Sequence, residues 1–182
     1  MKSICVFLGA NTGSNPIYAT AIQQLGHELA RRKIRCVYGG SNTGLMKLLA
    51  DSVLDAGGEV IGVTVKALHA KEIFHNGLTQ LHITENMHER KSMMAELAEG
   101  FITFPGGIGT LEEFFEVYTW KKLGFHNKPC GLLNVNNYFS PMLQMFANAT
   151  DEGFLLAQDR DLIVQSQDVS ELLDMLLEQD NA

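Results

Sequence analysis

Short apolar segments alternate with longer amphipathic segments along the whole chain, and this alternation constrains the fold more than any other feature of the sequence. The apolar segments are typical of buried strands, and the amphipathic segments are typical of helices with one face in a core. The predicted strands are Ser3–Leu8, Ile34–Tyr38, Glu59–Val63, Leu78–Ile83, Phe101–Phe104, Cys130–Val135 and Asp161–Val164. The predicted helices are Pro16–Arg31, Gly44–Asp55, Asn86–Ala98, Thr110–Leu123, Tyr138–Thr150 and Val169–Glu178, and the stretch Thr64–Asn76 is predicted to be irregular.

This order of elements predicts an α/β fold. Continuous apolar strands joined through helices form a parallel sheet that is covered on both faces. Right-handed crossovers then give a doubly wound, Rossmann-like arrangement. The chain has 182 residues, which is enough for one core. We therefore predict a single domain over residues 1–182, with a parallel sheet of about seven strands and helices on both faces.

Charge, cysteine usage and hydropathy narrow the class of protein. The net charge of −7 argues against non-specific binding to nucleic acid or to an anionic membrane. The first apolar run, Ile4–Leu8, is too short for a signal peptide or a membrane span. Cys5, Cys36 and Cys130 are widely separated, as is usual in a reducing cytoplasm. We predict a cytoplasmic protein that binds neither nucleic acid nor a membrane.

Three junctions between a strand and the following helix are rich in glycine. In a parallel sheet all such junctions lie at the carboxyl edge, where ligands bind. Glycine permits close approach of a ligand, and a helix start offers free N–H groups that suit a phosphate. A tight turn alone explains any one junction, but three at one edge favour a phosphate site. The candidate glycines in these junctions are Gly9, Gly39, Gly40, Gly44, Gly106, Gly107 and Gly109.

Common cofactor and metal motifs are absent from the sequence. No GxGxxG follows the first strand, and Gly107–Glu112 has a glutamate where the third glycine of that motif would stand. No GxxxxGK[ST] is present, so a P-loop is excluded. The six histidines form no HExxH or other paired spacing. We therefore predict neither a cofactor nor a metal.

Carboxylates follow the third glycine-rich junction. Glu112, Glu113 and Glu116 lie in the first turns of the helix predicted to begin near Thr110. One acid there is a common partner of the helix dipole, and this explanation remains open for all three. Two adjacent acids beside a phosphate site would repel the ligand, which favours contact with sugar hydroxyls or orientation of a water. Adjacent helical positions point about 100° apart, so at most one of Glu112 and Glu113 is expected to face the ligand.

A basic pair begins the preceding helix. Arg90 and Lys91 lie early in that helix, so they reach the same edge of the sheet as the Pro105–Thr110 junction. An arginine suits bidentate contact to a phosphate or a carboxylate. A solvated basic pair on a helix surface is the alternative.

These two segments carry a resemblance to a known family. Met87–Lys91 (MHERK) followed by Pro105–Glu113 (PGGIGTLEE) resembles the MxxRK and PGGxGTxxE motifs of the Lonely Guy (LOG) family, and the resemblance extends over roughly residues 3–150. It implies a cytokinin riboside 5'-monophosphate phosphoribohydrolase. Such an enzyme hydrolyses the N-glycosidic bond of an adenine or N6-prenyladenine nucleoside 5'-monophosphate to free base and ribose 5-phosphate, and many bacterial members look like AMP nucleosidases.

The resemblance also implies roles for individual residues. Arg90 and Glu113 match the catalytic pair of the family. The positions that match nucleotide contacts are Glu72, Lys91, Gly107, Gly109, Thr110, Glu112 and Thr119. Glu72 lies in the Thr64–Asn76 stretch, which departs from the usual proline-containing loop of the family. Family members are commonly homodimers, and the resemblance implies that Trp120 lies near the interface.

Two alternatives to an enzyme remain at this point. Proteins of the same superfamily carry molybdenum cofactor without hydrolysing it, and a nucleotide sensor would bind without releasing a base. The intact Arg90 and Glu113 favour the enzyme, because a carrier has less use for a glutamate near an anion. Members have often been labelled lysine decarboxylases, but nothing in the sequence marks the Schiff-base lysine that a pyridoxal enzyme needs. The sequence does not specify which purine is preferred.

Overall fold

A computed structural model of the chain describes residues 1–69 and 74–180, without the side chains of residues 68 and 69. The strands are β1 Ser3–Phe7, β2 Arg35–Tyr38, β3 Val60–Val65, β4 Gln80–Thr84, β5 Gly100–Thr103, β6 Cys130–Leu133 and β7 Ile163–Ser166. The α-helices are α1 Ile17–Arg31, α2 Gly44–Asp55, α3 Lys66–His69, α4 Met87–Leu97, α5 Ile108–Lys122, α6 Ser140–Asp151, α7 Ala157–Arg160 and α8 Val169–Asp180. A 3₁₀ turn, Val135–Asn137, follows β6.

The strands form one parallel sheet of seven strands in the order β4-β3-β2-β1-β5-β6-β7. The chain moves outward from β1 to β4 and then returns to place β5 beside β1. The strand order therefore reverses between β1 and β5, and such switch points open a crevice at the carboxyl edge. The register pairs Phe7 with Thr103, so the junctions that follow these two strands start side by side.

Helices pack on both faces of the sheet, and alternate residues of β1 show the division. Ile4 and Val6 belong to the core cluster that includes residues of α1, α2 and α8. Cys5 and Phe7 belong to the cluster that includes residues of α4 and α5. This alternation is the two-residue period of a strand buried on both sides. The predicted doubly wound, Rossmann-like sheet of seven strands is confirmed.

The structure corrects the prediction at one stretch and at several element boundaries: β4 is Gln80–Thr84 and not Leu78–Ile83, and β7 is Ile163–Ser166 and not Asp161–Val164. Residues 64–69 are not irregular, because Thr64 and Val65 continue β3 by pairing with β4, and α3 follows. Pairing with a neighbouring strand decides such a boundary, and a local pattern does not show it. Helix α5 begins at Ile108, two positions before the predicted Thr110, and α6 begins at Ser140 after a separate turn.

None of the described helices combines the length and the apolar composition that crossing a bilayer requires. All three cysteines are buried free thiols.

Candidate active site

A cavity of about 470 Å³ opens at the carboxyl edge of the sheet, where the strand order reverses between β1 and β5. Its volume falls within the range typical of small-molecule sites. Its walls come from the junctions after β1, β2 and β5 and from the first turns of α2, α4 and α5. The three glycine-rich junctions that the sequence singles out therefore meet at one cavity.

Two of these junctions pack directly against each other. The Gly9 N–H donates to the Pro105 carbonyl at 3.3 Å. A Cβ on Gly9 would lie 3.1 Å from the Cα of Gly106, and a Cβ on Gly106 would lie 2.2 Å from Oγ1 of Thr110. Packing within the protein therefore explains why Gly9 and Gly106 are glycines.

Gly107 and Gly109 differ, because apart from the adjacent residues and the backbone of α5 itself no described atom lies within 4 Å of a Cβ built on either residue. Both line the cavity, so packing among the described residues does not require a glycine at these positions. Gly107 is the N-cap of α5 and provides no side-chain cap. The N–H groups of the first helical turn are left for a ligand or water, and the helix dipole favours an anion there.

Arg90 is fixed at the cavity wall by the start of α4. The Asn86 side chain caps that helix by accepting from the Glu89 N–H at 3.0 Å, which places Arg90 in the first turn. The Arg90 guanidinium is buried, with Nε donating to the Val63 carbonyl at 2.9 Å. Its Nη1 donates to Oε1 of Glu113 at 2.9 Å. Two fixed acceptors therefore orient the guanidinium.

Glu113 is the acceptor of this ion pair and is itself largely buried, with 13% of its side chain exposed. Burial raises the pKa of the Glu113 carboxyl above its ordinary value, and the Arg90 guanidinium opposes that rise. The neighbouring Glu112 charge raises the pKa further, and the Lys91 charge lowers it. A carboxylate with a raised pKa beside a cavity is suited to accept a proton or to orient a water.

Lys91 and Glu112 form a second ion pair between α4 and α5. The Lys91 ammonium donates to Oε1 of Glu112 at 2.5 Å and to Oε1 of Glu116 at 3.0 Å. The first turn of α5 contains no acid, because both Glu112 and Glu113 lie in the second turn. The structure therefore does not support these acids as caps of the helix dipole, and the Lys91 pair partly neutralises Glu112 near the first turn of α5.

Comparison with known proteins agrees with this geometry. A family model described as "Possible lysine decarboxylase" matches residues 46–176. A cytokinin riboside 5'-monophosphate phosphoribohydrolase of Rhodococcoides fascians is 47% identical over 92% of this chain and 85% of its own length. A protein of the same name from Arabidopsis thaliana is 44% identical over 97% of this chain and 82% of its own length. The chain belongs to the LOG family.

Solved structures extend the likeness in fold. The molybdenum cofactor carrier protein of Chlamydomonas reinhardtii superposes with a TM-score of 0.73 over 100% of this chain and 99% of that chain, at 20% identity. The molybdenum cofactor binding protein of Rippkaea orientalis gives a TM-score of 0.74 over 98% of this chain and 97% of that chain, at 18% identity. At these identities the likeness establishes the shared fold alone.

Not every candidate residue predicted from the sequence, by its glycine-rich junctions or by the LOG resemblance, lies at the cavity. Nine of them line it, namely Gly9, Gly39, Arg90, Gly106, Gly107, Gly109, Thr110, Glu112 and Glu113. Thr119 is exposed further along α5, where its hydroxyl donates to the Phe115 carbonyl at 2.6 Å. Lys91 is not a lining residue and instead holds Glu112. Glu72 lies outside the described residues.

Gly40 and Gly44 shape the turn behind the cavity wall. Both have positive φ, at 78° and 52°, a region that glycine enters at little cost. A Cβ on Gly44 would lie 2.0 Å from the Ala10 carbonyl oxygen, so the turn packs against the first junction. For these two glycines the tight-turn explanation fits the structure.

Both Glu112 and Glu113 line the cavity, whereas their helical spacing predicts that at most one of them faces a ligand. The reason is that the cavity wraps around the start of α5, so side chains about 100° apart both reach it. Their exposures differ, because the Glu112 side chain is 51% exposed and that of Glu113 only 13%. Glu112 lies at the solvent side and Glu113 in the protein interior.

One part of the cavity wall is apolar and aromatic and was not predicted from the sequence. Leu45, Met46 and Met87 line the cavity, as do Tyr18 and Tyr138. Tyr138 follows β6, and that junction contains no glycine, so a search for glycine-rich junctions passes over it. Only the parallel topology could have indicated Tyr138 as a cavity residue, because every strand of such a sheet ends at the same edge.

The description of the family model as a lysine decarboxylase receives no support from this cavity. A pyridoxal-dependent decarboxylase holds its cofactor as a Schiff base on a lysine. No lysine lines the cavity within residues 1–69 and 74–180. Within the same ranges, no three His, Cys, Asp or Glu side chains are grouped so that they could hold a metal ion.

Gly39 provides a direct test of the Arg90 geometry. A Cβ at this position would lie 2.5 Å from Nη2 of Arg90, so the guanidinium occupies the space that a side chain would need. We expect Gly39→Ala to displace Arg90 from Glu113 and to lower kcat/KM by about 10- to 100-fold, since misplacement by about 1 Å has effects of this size. Steady-state hydrolysis of a nucleoside monophosphate measures it.

Gly131→Ala is the matched control for this substitution. Its Cβ would lie 2.9 Å from Cδ1 of Leu172 in the core, away from the cavity. We expect this variant to lose stability but to keep its kcat/KM per folded molecule. Equal kcat/KM for both variants and the wild type would show that Gly39 has no such role.

Proposed function

We propose that the chain hydrolyses the N-glycosidic bond of a purine nucleoside 5'-monophosphate, with adenine or N6-prenyladenine as the base, to free base and ribose 5-phosphate. The observation that carries this proposal is the Arg90–Glu113 pair, which is largely buried in the wall of the same cavity as the uncapped start of α5. An acid–base group and an anion site thus share one small-molecule cavity. Relatives at 44–47% identity carry the name of this activity.

The phosphate is proposed to bind at the first turn of α5. Gly107 and Gly109 leave open space there, and the free N–H groups and the helix dipole favour an anion. Thr110 is also at the cavity wall and adds a hydroxyl. Glu112 would repel a phosphate if its charge were unpaired, but Lys91 compensates that charge.

Glu113 is proposed to act on the sugar. Cleavage of a glycosidic bond passes through an oxocarbenium-like state, which a nearby carboxylate stabilises. In this proposal Glu113 holds the ribose hydroxyls and takes a proton from a water as that water attacks C1'. The electron pair of the bond between C1' and the base leaves with the base, which takes up one proton from solvent, and Glu113 later returns to solvent the proton that it took from the water, so that the protons balance. Arg90 anchors Glu113 and assists the departure of the base.

The carrier alternative receives no specific support from the structure. The molybdenum cofactor proteins resemble this chain at no more than 20% identity, which reflects the fold. A buried carboxylate beside an anion site has a use in hydrolysis, whereas it weakens the binding of an anionic cargo. We therefore retain the hydrolase as the proposed function.

A panel of compounds tests the proposal directly. The protein is incubated with purine nucleoside 5'-monophosphates, the corresponding nucleosides and free lysine, and released base is measured by chromatography. The proposal predicts base from the monophosphates and none from the nucleosides, because the phosphate contributes the binding energy. Saturable binding with no released base would identify a sensor or a carrier instead.

The raised pKa of Glu113 predicts how activity depends on pH. If the ionised carboxylate is the active form, kcat/KM falls as the pH drops through its raised pKa. The Glu112 charge raises this pKa and the Lys91 charge lowers it. We therefore expect the acid limb to shift to lower pH in Glu112→Gln and to higher pH in Lys91→Gln, each by a fraction of a pH unit.

Comparing these two variants cancels the titration of the substrate phosphate. The substrate phosphate also titrates near neutral pH, but it does so equally in all reactions, so only the difference between variants reports on Glu113. A pH profile of kcat/KM for each variant measures the shifts. Shifts in the same direction, or none, would assign the acid limb to another group.

We also propose that the protein acts in the cytoplasm as a homodimer, as the LOG resemblance implies, with α5 at the interface. Trp120 on that helix is half-buried, and Leu123 and Phe125 beyond its end are 59% and 75% exposed. Sedimentation velocity of the purified chain tests the oligomeric state: a dimer mass agrees with the proposal, and a monomer at micromolar concentration contradicts it.

A further inference from the structure

Tyr138 connects the junction after β6 to the junction after β5. Its ring lines the cavity, and its hydroxyl donates to the carbonyl of Gly106. On the other side its ring meets the Tyr18 ring edge-on, with centroids 6.1 Å apart and planes at 83°. Neither the sequence motifs nor the proposed catalytic pair assigns a role to this residue.

The backbone before Tyr138 is held in an unusual conformation. Asn136 and Asn137 both have positive φ, at 53° and 57°, where residues other than glycine are uncommon. Such conformations persist only where the surroundings fix them, and they cluster at functional sites. Two consecutive residues in this region immediately before a residue at a cavity wall indicate that the position of Tyr138 is specified.

Side chains around the turn fix this conformation. Asn134 is buried, and its Oδ1 accepts from the Phe139 N–H at 2.7 Å. Its Nδ2 donates to Oε1 of Gln165 at 3.3 Å, which connects the turn to β7. The Asn137 Oδ1 accepts from Nε2 of Gln167 at 3.1 Å. Bonds on both sides of Tyr138 therefore hold the turn that positions its hydroxyl.

The peptide between Gly106 and Gly107 is flanked by glycine torsions on both sides, ψ of Gly106 and φ of Gly107. A trans peptide presents its carbonyl and its N–H in opposite directions, so turning it exchanges the group that faces the cavity. The two torsions involved belong to glycines, which oppose such a turn only weakly. A carbonyl oxygen facing the cavity would repel a phosphate, whereas an N–H attracts it.

We propose that Tyr138 is a positioning residue that locks the Gly106–Gly107 peptide in the orientation suited to a phosphate. By binding the Gly106 carbonyl, the hydroxyl keeps that oxygen engaged and fixes the Gly107 N–H in the opposite direction. The residue thereby raises the preference of the cavity for phosphorylated over unphosphorylated ligands. This inference rests on the proposed function, because it assigns the phosphate to the junction after β5.

Tyr138→Phe removes only the hydroxyl and retains the ring. One intramolecular hydrogen bond contributes only a modest free energy, so the variant is expected to bind ribose 5-phosphate and inorganic phosphate about 2- to 10-fold more weakly. Binding of adenosine, which lacks the phosphate, is expected to stay unchanged. In turnover, KM for the monophosphate rises by the same factor while kcat changes less.

Tyr118→Phe is the matched control. The Tyr118 hydroxyl also donates to a backbone carbonyl, that of Asp159 at 3.1 Å, but on the far part of α5 and outside the cavity wall. Both variants lose one such bond, so both are expected to lose some stability in thermal unfolding. Only Tyr138→Phe is expected to change the ratio of the Kd values for ribose 5-phosphate and adenosine, measured by isothermal titration calorimetry.

The possible outcomes separate this inference from the proposed function. If the ratio of the Kd values for ribose 5-phosphate and adenosine is the same in both variants, or if the wild-type protein binds neither phosphate nor ribose 5-phosphate, the positioning role of Tyr138 is refuted. If this ratio changes only in Tyr138→Phe, the positioning role of Tyr138 is supported. If Tyr138→Phe alone changes the ratio of the Kd values but the wild-type protein releases no base from any monophosphate, the positioning role of Tyr138 is supported and the proposed hydrolase activity is refuted.

Discussion

Replacing Glu113 with glutamine is expected to lower kcat by about 10²–10⁴-fold while the nucleotide still binds, which is the usual effect of losing one positioned acid–base group. Glutamine has nearly the same shape, and its oxygen can still accept the hydrogen bond from Nη1 of Arg90. It carries no negative charge to stabilise an oxocarbenium-like state, and it cannot take a proton from water. The defect therefore falls on the chemical step.

Glu116→Gln provides the control for this result. Glu116 lies one turn further along the same helix and outside the cavity wall, and its Oε1 accepts from Lys91 at 3.0 Å. The chemical change is identical, but kcat is expected to stay within about threefold of the wild type, since no reacting group is touched. Steady-state kinetics measures kcat, and calorimetry measures nucleotide binding. A Glu113→Gln protein that turns over at the wild-type rate would contradict the assignment.

Arg90→Ala is expected to have the second large effect, because it removes both activity and stability. The guanidinium is the partner of a largely buried carboxylate and the donor to the Val63 carbonyl. Removing one member of a buried ion pair costs about 3–5 kcal/mol, since the remaining charge is buried without compensation. Urea unfolding at neutral pH measures the loss, and hydrolysis by the folded fraction is expected to fall with it.

The titration of Glu113 determines how the loss of stability in Arg90→Ala depends on pH. Arg90 is the main influence that lowers the Glu113 pKa, and only the Lys91 charge opposes burial and Glu112 once it is gone, so the pKa rises further in Arg90→Ala. A carboxyl whose folded-state pKa lies above its unfolded value destabilises the protein progressively as the pH rises from the unfolded pKa to the folded pKa, and fully above the folded pKa. The defect of Arg90→Ala is therefore expected to shrink as the pH falls through the raised pKa.

An exposed ion pair supplies the comparison for stability. Arg35 Nε and Glu59 Oε2 are 2.8 Å apart, close to the 2.9 Å of the Arg90–Glu113 pair, but their side chains are 47% and 56% exposed. Arg35→Ala is expected to cost less than about 1 kcal/mol, as exposed pairs usually do. Adding Glu113→Gln to Arg90→Ala is expected to restore part of the lost stability, because the unpaired charge is removed. Equal losses for Arg35→Ala and Arg90→Ala would contradict the account of a buried pair.

The sequence alone predicted the sheet and the edge that holds the site. Seven apolar segments separated by helices leave few alternatives to a doubly wound sheet, and that topology brings Arg90 and the Pro105–Thr110 junction to one edge. The distance between Arg90 and Glu113 was not predictable. It depends on Val63 in β3 and on the missing side chain of Gly39 in the junction after β2, which contact Arg90 only in the folded chain.

Other features of the site depend on contacts that no local pattern encodes. Lys91 matches a nucleotide-contacting position, yet in the structure it pairs with Glu112 and Glu116, which the four-residue spacing places on one face of α5. Thr119 lies on the same helix but outside the cavity wall. Tyr138 was missed because a bond to the Gly106 carbonyl leaves no motif in the sequence.

The most direct test of the central claim follows both products of one reaction. Adenosine 5'-monophosphate and adenosine are incubated separately with the wild type, Glu113→Gln and Glu116→Gln, and adenine, ribose 5-phosphate and inorganic phosphate are quantified. The account predicts equal amounts of adenine and ribose 5-phosphate from the monophosphate with the wild type and Glu116→Gln, little of either with Glu113→Gln, and no adenine from adenosine. Inorganic phosphate as the main product, or adenine formed by Glu113→Gln at the wild-type rate, would contradict it.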